Sequence, residues 1–261
     1  MTDLDGTLWY DGGKCHPESM AAIQYLRESG IPLLIATGRR LRSVRGPFQT
    51  LGITEEAILL NGSIGYDFKK NENFYKREFS IKNETRIREI FVNCGLSPCF
   101  YGDDSFVYAH SPSTSRGHIE AIGEDLITIE NQSAFPADKK ILSFCILGID
   151  KSQLEEAEKI ISEENLGTVA YFEDRLFGKH SLMVQPPMTS KWTGVESWCA
   201  HYGITPSKVV AIGDAGNDFE LLDGADIAVV VEGAEQYLLD MADETVPPPS
   251  IGGWARILEY V

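Results

Sequence analysis

Four short apolar runs constrain the fold of this chain more than any other feature. Ile31-Pro-Leu-Leu-Ile-Ala36 stops at Thr37-Gly38-Arg39, Ala57-Ile-Leu-Leu60 stops at Asn61-Gly62, Val209-Val-Ala-Ile212 stops at Gly213-Asp214, and Ile227-Ala-Val-Val-Val231 stops at Glu232-Gly233. Runs this short, apolar on both faces and closed by turn residues, read as buried strands of a parallel sheet. Helical patterns lie between them. Residues 16–30 open with Pro17 and close on Gly30, and residues 191–203 place Trp192, Val195, Trp198 and Cys199 on one face, a pattern of core packing and not of a stacking platform. Strand, crossover helix and strand repeat as in an open α/β sheet, where ligands bind at the carboxyl ends of the strands.

The middle of the chain breaks this rhythm. From about Phe79 to Val184 it carries alternating segments, among them Cys99–Tyr108 with a hairpin turn at Gly102-Asp103-Asp104 and Leu142–Leu147, interleaved with amphipathic helices over 82–94 and 152–164. The expected organisation is therefore a discontinuous α/β domain, residues 1–80 and 184–261, with an α+β domain inserted as residues 81–183. The chain has 39 acidic and 23 basic side chains among 261 residues, a formal net charge of −16, with the excess in the middle and the last third. That balance offers no hold on nucleic acid or an anionic membrane surface. No apolar run is long enough to cross a bilayer. The five cysteines are odd in number and scattered, so the expectation is a reducing cytoplasm without a disulfide framework, and Cys94 and Cys99 lack the second pair of a metal site.

Two acidic motifs sit at strand ends. In Thr2-Asp3-Leu4-Asp5-Gly6-Thr7, aspartates two apart point the same way and Gly6 lets the chain turn off sharply. Gly213-Asp214-Ala215-Gly216-Asn217-Asp218 offers two more carboxylates after an apolar strand. Oxygen donors of this kind suit a hard divalent ion such as Mg²⁺ better than zinc.

Asp3-Leu-Asp-Gly-Thr7, Thr37-Gly-Arg39, Lys191 and Gly213-Asp-x-x-Asn-Asp218 together resemble, in order, the four motifs of the haloacid dehalogenase-like phosphatases, and the chain is similar to their Cof-type branch, in which a large α+β cap interrupts a Rossmann-like core. The resemblance implies a Mg²⁺-dependent phosphatase of a small phosphate monoester, a sugar phosphate or related metabolite. Asp3 would be the nucleophile that becomes aspartyl phosphate, and Asp5 the general acid and then base. Mg²⁺ would be held by Asp3, the Asp5 carbonyl and Asp214, with Asp218 a ligand or its supporting partner. Thr7 would steady the loop. Thr37 and the Gly38 amide, Lys191 and Asn217 would hold the phosphate. Arg39 either binds phosphate or pairs with a neighbouring carboxylate, and Asn61 either touches phosphate or caps a turn.

A phosphotransferase or mutase on the same fold is the alternative activity, and a phosphometabolite-binding or catalytically impaired, N-terminally truncated homologue the alternative outside it. Members of the family carry an apolar strand before the first aspartate, whereas only Met1 and Thr2 precede Asp3. The expectation is a start further upstream, or else a stub of a strand. The five histidines show no metal-ligand spacing and read as solvated or capping residues; His180 and Arg175 lie where the inserted segment returns and are weaker candidates for contact with a leaving group. The expected partner is a small phosphorylated metabolite, and the expected state a monomer or small homo-oligomer.

Overall fold

The computed structural model describes residues 1–174 and 176–261. After the first acidic motif come β1 (Trp9–Tyr10) and β2 (Lys14–Cys15), a short antiparallel hairpin. Next is α1 (Pro17–Glu28), capped by the His16 ring, which accepts the Glu18 N–H at 3.3 Å. Then follow β3 (Ile35–Ala36), α2 (Leu41–Leu51), β4 (Ala57–Leu59), β5 (Ile64–Asp67) and β6 (Glu72–Lys76). β3 and β4 pair in parallel, but β5 and β6 extend the sheet antiparallel, so it is mixed and not purely parallel. Only the last two residues of the expected 31–36 strand are laddered; Pro32 has no N–H to give.

The inserted segment comprises α3 (Ile81–Asn93), β7 (Cys99–Gly102), β8 (Val107–Ala109), α4 (Arg116–Ile122), β9 (Leu126–Thr128), β10 (Ile141–Ile149), α5 (Lys151–Glu163), β11 (Thr168–Glu173) and β12 (His180–Gln185). The chain then completes the first sheet with α6 (Lys191–Tyr202), β13 (Val210–Gly213), α7 (Phe219–Asp223), β14 (Ile227–Val231), α8 (Gln236–Met241) and β15 (Glu244–Val246), the strands β13, β14 and β15 being parallel.

The middle of that first sheet is held by Met1, Thr2 and Asp3, the Met1 carbonyl accepting the Ile212 N–H at 3.1 Å. Thr2 bridges in parallel to Ile35 on one side and Ile212 on the other. Its N–H donates to the Leu34 carbonyl at 3.0 Å, its carbonyl accepts from Ala36 at 2.8 Å, and its hydroxyl accepts from Trp254 Nε1 at 2.8 Å. The next N–H, of Asp3, donates to Ile212. The first aspartate is thus fixed at the end of a sheet position with neighbours on both sides. Leu34, Ala36, Ile58, Val195, Trp198, Ala211 and Val230 form the core of this unit, and Trp192 packs against it over Gly224, where a Cβ would stand 2.3 Å from the indole.

The chain divides into two units, Met1–Arg39 with Val44–Lys76 and Ser190–Val261, and Arg40–Ser43 with Arg77–Thr189. Against the sequence-based limits of 80/81 and 183/184, the return falls later because β12 runs on to Gln185 and the Thr189 N–H bonds Thr168 Oγ1 at 3.0 Å. Arg40 and Arg42 belong with the second unit through Asp125, each at 2.5 Å.

The second unit has a six-stranded sheet in the order β11-β12-β10-β7-β8-β9. The two-residue period of its strands sends Phe100, Phe144, Ile146, Leu182 and Val184 into a core shared with Ile87 and Phe91 of α3 and Leu154 and Ile161 of α5. The opposite residues are more polar: Gln185 Nε2 donates to Ser143 Oγ at 3.0 Å, and Tyr101 Oη lies 2.7 Å from His118 Nε2. His118 corrects the solvated reading of the histidines. It is 2% exposed, with Thr114 Oγ1 2.7 Å from its other ring nitrogen. His16 is the capping residue expected. All five cysteines are free thiols. Among the described residues no helix is long and apolar enough to cross a membrane.

Candidate active site

The acidic motifs meet at the carboxyl ends of the Thr2 position and β13. Asp3, Asp214 and Asp218 are all buried, with one carboxylate oxygen from each lying within 4.8 Å of the others. Lys191 is set beside them by the start of α6. Its N-cap Ser190 accepts the Thr193 N–H at 3.2 Å while the Thr193 hydroxyl accepts the Ser190 N–H at 2.9 Å, a reciprocal cap that places Lys191 as the first helical residue. Its ammonium, fully buried, donates at 2.6 Å to Asp3 Oδ1 and at 2.6 Å to Asp218 Oδ1.

The electrostatics follow from burial and crowding. Removal from water pushes the Asp3 carboxyl well above the usual carboxylate range; Lys191 pulls it back, and Asp218, Asp214 and Asp5 push it up further. For Lys191, burial alone would lower the ammonium, but Asp218 and Asp3 hold it above its ordinary value. Three carboxylates against one ammonium leave negative charge in excess. Oxygen donors, close spacing and this excess fit a divalent cation, the ion that the sequence resemblance implies.

The four acids differ in what already occupies them. Asp218 is engaged on both oxygens, by Lys191 and by the Asp214 and Ala215 N–H groups at 3.1 Å, so it braces the loop and the lysine. Asp214 Oδ1 accepts from the Thr7 hydroxyl at 2.8 Å. Gly6, at φ 81°, lies so close to Asp214 that a Cβ would stand 2.4 Å from its Oδ2; only glycine allows the two motifs to meet. The Asp5 carboxylate is set apart. Arg39 donates to both of its oxygens, Nε at 2.5 Å and an Nη at 2.7 Å.

Among the residues expected to hold phosphate, Thr37 Oγ1 accepts the Arg39 N–H at 3.2 Å, and Asn217 Nδ2 donates to Asn61 Oδ1 at 3.1 Å. Gly38 lies beside that pair, its Cβ position 3.1 Å from Asn61 Oδ1 and 3.5 Å from Asn217 Nδ2. Within the first unit the fold thus gathers Asp3, Lys191, Asp214 and Asp218 in one contact set, Thr37, Gly38, Asn61 and Asn217 in a second, and Asp5 with Arg39 in a third. His180 belongs to β12 of the second unit, 5.7 Å from the Tyr171 ring, and Arg175 lies outside the described residues. Two supports gave no sequence signal, Trp9 packed on the Arg39 guanidinium and the Ser190 backbone pressed against Gly62.

The chain is similar to known proteins. Residues 1–258 match the haloacid dehalogenase-like hydrolase family. A pyridoxal phosphate phosphatase of Escherichia coli is 25% identical over 245 residues, covering 89% of this chain and 87% of that protein. A haloacid dehalogenase-like hydrolase of B. subtilis superposes with a TM-score of 0.82 at 19% identity, covering 99% of this chain and 98% of the other. A haloacid dehalogenase subclass IIB sugar phosphatase does so at 0.77 and 20% identity, over 99% and 96%. The chain belongs to the haloacid dehalogenase-like hydrolase family, in its Cof-type branch.

Proposed function

We propose that in this phosphatase of small phosphate esters Asp3 is the nucleophile, attacking phosphorus while the ester oxygen departs with a proton from Asp5. The observation that carries the reading is the buried Asp3–Lys191–Asp218 contact. Lys191 grips Asp3 Oδ1, which leaves Oδ2 as the attacking oxygen, and its ammonium is in place to attract a phosphate dianion. The P–O bond to the leaving group breaks as the Asp3–phosphorus bond forms. Asp5, having given up its proton, is then the base that takes one from water as water attacks phosphorus, returning Asp3 to a carboxylate and releasing phosphate. Thr37, Gly38 and Asn217, with Asn61 supporting Asn217, orient the phosphoryl oxygens.

Mg²⁺ is the ion we assign to the acidic cluster, held by Asp3 and Asp214 with the Asp5 carbonyl, and braced by Asp218. When bound it supplies charge neutralisation for an anionic nucleophile meeting an anionic ester. The substrate we favour is a sugar phosphate or related phosphorylated metabolite, handled in a reducing cytoplasm, with which five free thiols are consistent.

Two measurements test this. Asp3→Asn is expected to lower phosphate release from para-nitrophenyl phosphate in Mg²⁺ by about 10³-fold or more, since no other group replaces a lost nucleophile. Acid-quenched single turnovers with radiolabelled phosphate ester should label the peptide containing Asp3. Full turnover in the variant, or label on another residue, refutes the covalent scheme; transfer of phosphate to an added alcohol without free phosphate makes the protein a phosphotransferase.

A further inference from the structure

We infer that Arg39 is a positioning residue for Asp5, braced from behind by Trp9, and not a ligand of the phosphoryl group. The inference rests on the reading of Asp5 as proton donor. The Asp5 side chain keeps 31% of its surface exposed, so packing alone does not hold it, and a free aspartate there would turn among its rotamers. Arg39 removes that freedom. Its planar fork meets one oxygen with Nε at 2.5 Å and the other with an Nη at 2.7 Å, a grip that fixes both the direction and the plane of the carboxylate.

The arginine is itself held at three points. Its N–H donates to Thr37 Oγ1 at 3.2 Å, and its carbonyl accepts from the Leu60 N–H at 3.0 Å. Its guanidinium carbon stands 5.4 Å from the centroid of the Trp9 ring, a favourable cation–π distance. Trp9 is fully buried and meets Phe48 edge-on at 5.6 Å. Its N–H donates to the Leu4 carbonyl at 2.7 Å and its carbonyl accepts from Gly6 at 3.0 Å. The loop that carries Asp5 therefore folds back so that its own tryptophan backs the arginine that aims Asp5. The fork that would meet two phosphoryl oxygens is spent on the Asp5 carboxylate, the form Asp5 takes once it has given up its proton, so Arg39 both aims the acid and stabilises the anion it becomes.

The test separates aiming a proton donor from binding phosphate. Para-nitrophenyl phosphate expels its leaving group without a proton, whereas phenyl phosphate needs one, and kcat/KM reports the steps up to that departure. Arg39→Gln, Asp5→Asn and the double variant are assayed with both esters in Mg²⁺. In Arg39→Gln the ratio of kcat/KM for the nitrophenyl ester to that for the phenyl ester is expected to rise about tenfold or more, a part of the roughly 10²–10⁴-fold that a general acid contributes, with each KM within about twofold of the parent. In the Asp5→Asn background the same change should move the ratio less than about twofold. Arg39→Lys, which keeps the charge without the fork, should shift the ratio in the same direction and guards against misfolding of the glutamine variant.

Equal losses on both esters, or losses carried by KM, make Arg39 a phosphate ligand and overturn the inference; so does an unchanged or lowered ratio. An Asp5→Asn enzyme with the parent ratio would instead refute the proton-donor reading, an outcome seen without any change at Arg39.

Discussion

At the scale of single residues, Lys191 has a signed prediction. It lies against Asp3 and Asp218, within a cluster that carries more carboxylates than it can neutralise. Replacing it with methionine removes, among the described residues, the one ammonium or guanidinium hydrogen-bonded to Asp3, so in EDTA the protein should lose about 3–5 kcal/mol, the usual penalty for leaving a buried charge unpaired. Added Mg²⁺ should recover more of the melting temperature in Lys191→Met than in the parent, because a cation enters a more negative site, while turnover stays at least about 100-fold down for want of the ammonium proposed to attract the phosphate. A thermal melt with and without Mg²⁺ checks both signs; an equal Mg²⁺ shift in the two proteins refutes the charge argument. The acids at this centre were legible because Asp3 stands at a strand end and Asp214 and Asp218 follow an apolar run, whereas Lys191 was reached only through the resemblance to the family's motifs. Arg39 was not settled by sequence, since an arginine beside a strand end has several acids within reach and only the folded distance selects Asp5.

At the scale of elements, the turn after β4 ties the site loops together. Leu60, Asn61 and Gly62 have φ of 48°, 50° and 108°, three successive residues in a region that disfavours side chains. That conformation lets the Leu60 N–H reach the Arg39 carbonyl, the Asn61 N–H reach the Thr37 carbonyl and the Asn61 side chain receive Asn217. It also brings Gly62 so close to the N-cap of α6 that a Cβ would sit 2.1 Å from the Ser190 carbonyl oxygen. Gly62→Ala should therefore displace the start of α6 and lower stability by about 3 kcal/mol or more, through strain and overlap together. Asn61→Gly accepts the backbone angle but not the Asn217 hydrogen bond, so it should melt within a few degrees of the parent yet lose about tenfold in kcat/KM. Urea titration and steady-state kinetics read the two; a Gly62→Ala protein as stable as the parent refutes the packing account. The sequence marked Asn61-Gly62 as a strand end but not as a junction, because the turn's partners Arg39, Thr37, Ser190 and Asn217 lie 21 or more residues away along the chain. The antiparallel β5–β6 pair escaped for a different reason. Runs apolar on both faces mark buried strands, whereas Glu72–Lys76 is an exposed edge whose residues alternate only weakly.

For the whole molecule, the division into two units with separate hydrophobic cores sets where acid acts first. The insertion was visible in sequence as a change of period from continuous apolar runs to alternation, but its buried polar group was not, since His118, Tyr101 and Thr114 carry no joint spacing signature and meet only when α4 packs on the sheet. Burial, and after it the charge of Arg40, pushes the His118 imidazole down to about 4 from its ordinary 6.5. Between those values the unfolded chain binds a proton that the folded chain refuses, so stability falls as pH falls through this window and the loss is largest near its lower end. A displacement of this size amounts to about 3 kcal/mol by pH 4. Because the group lies within the second unit, amide protection in β7, β10 and α4 should weaken between pH 6.5 and 4 before that of β13 and β14, whose core belongs to the first unit. His118→Gln is expected to begin less stable at pH 7 and to lose much less on acidification, since glutamine stays neutral throughout. Hydrogen exchange followed by mass spectrometry at several pH values decides the matter: a parent and variant with the same acid slope, or a first unit that loosens before the second, would show that other groups govern the acid limb.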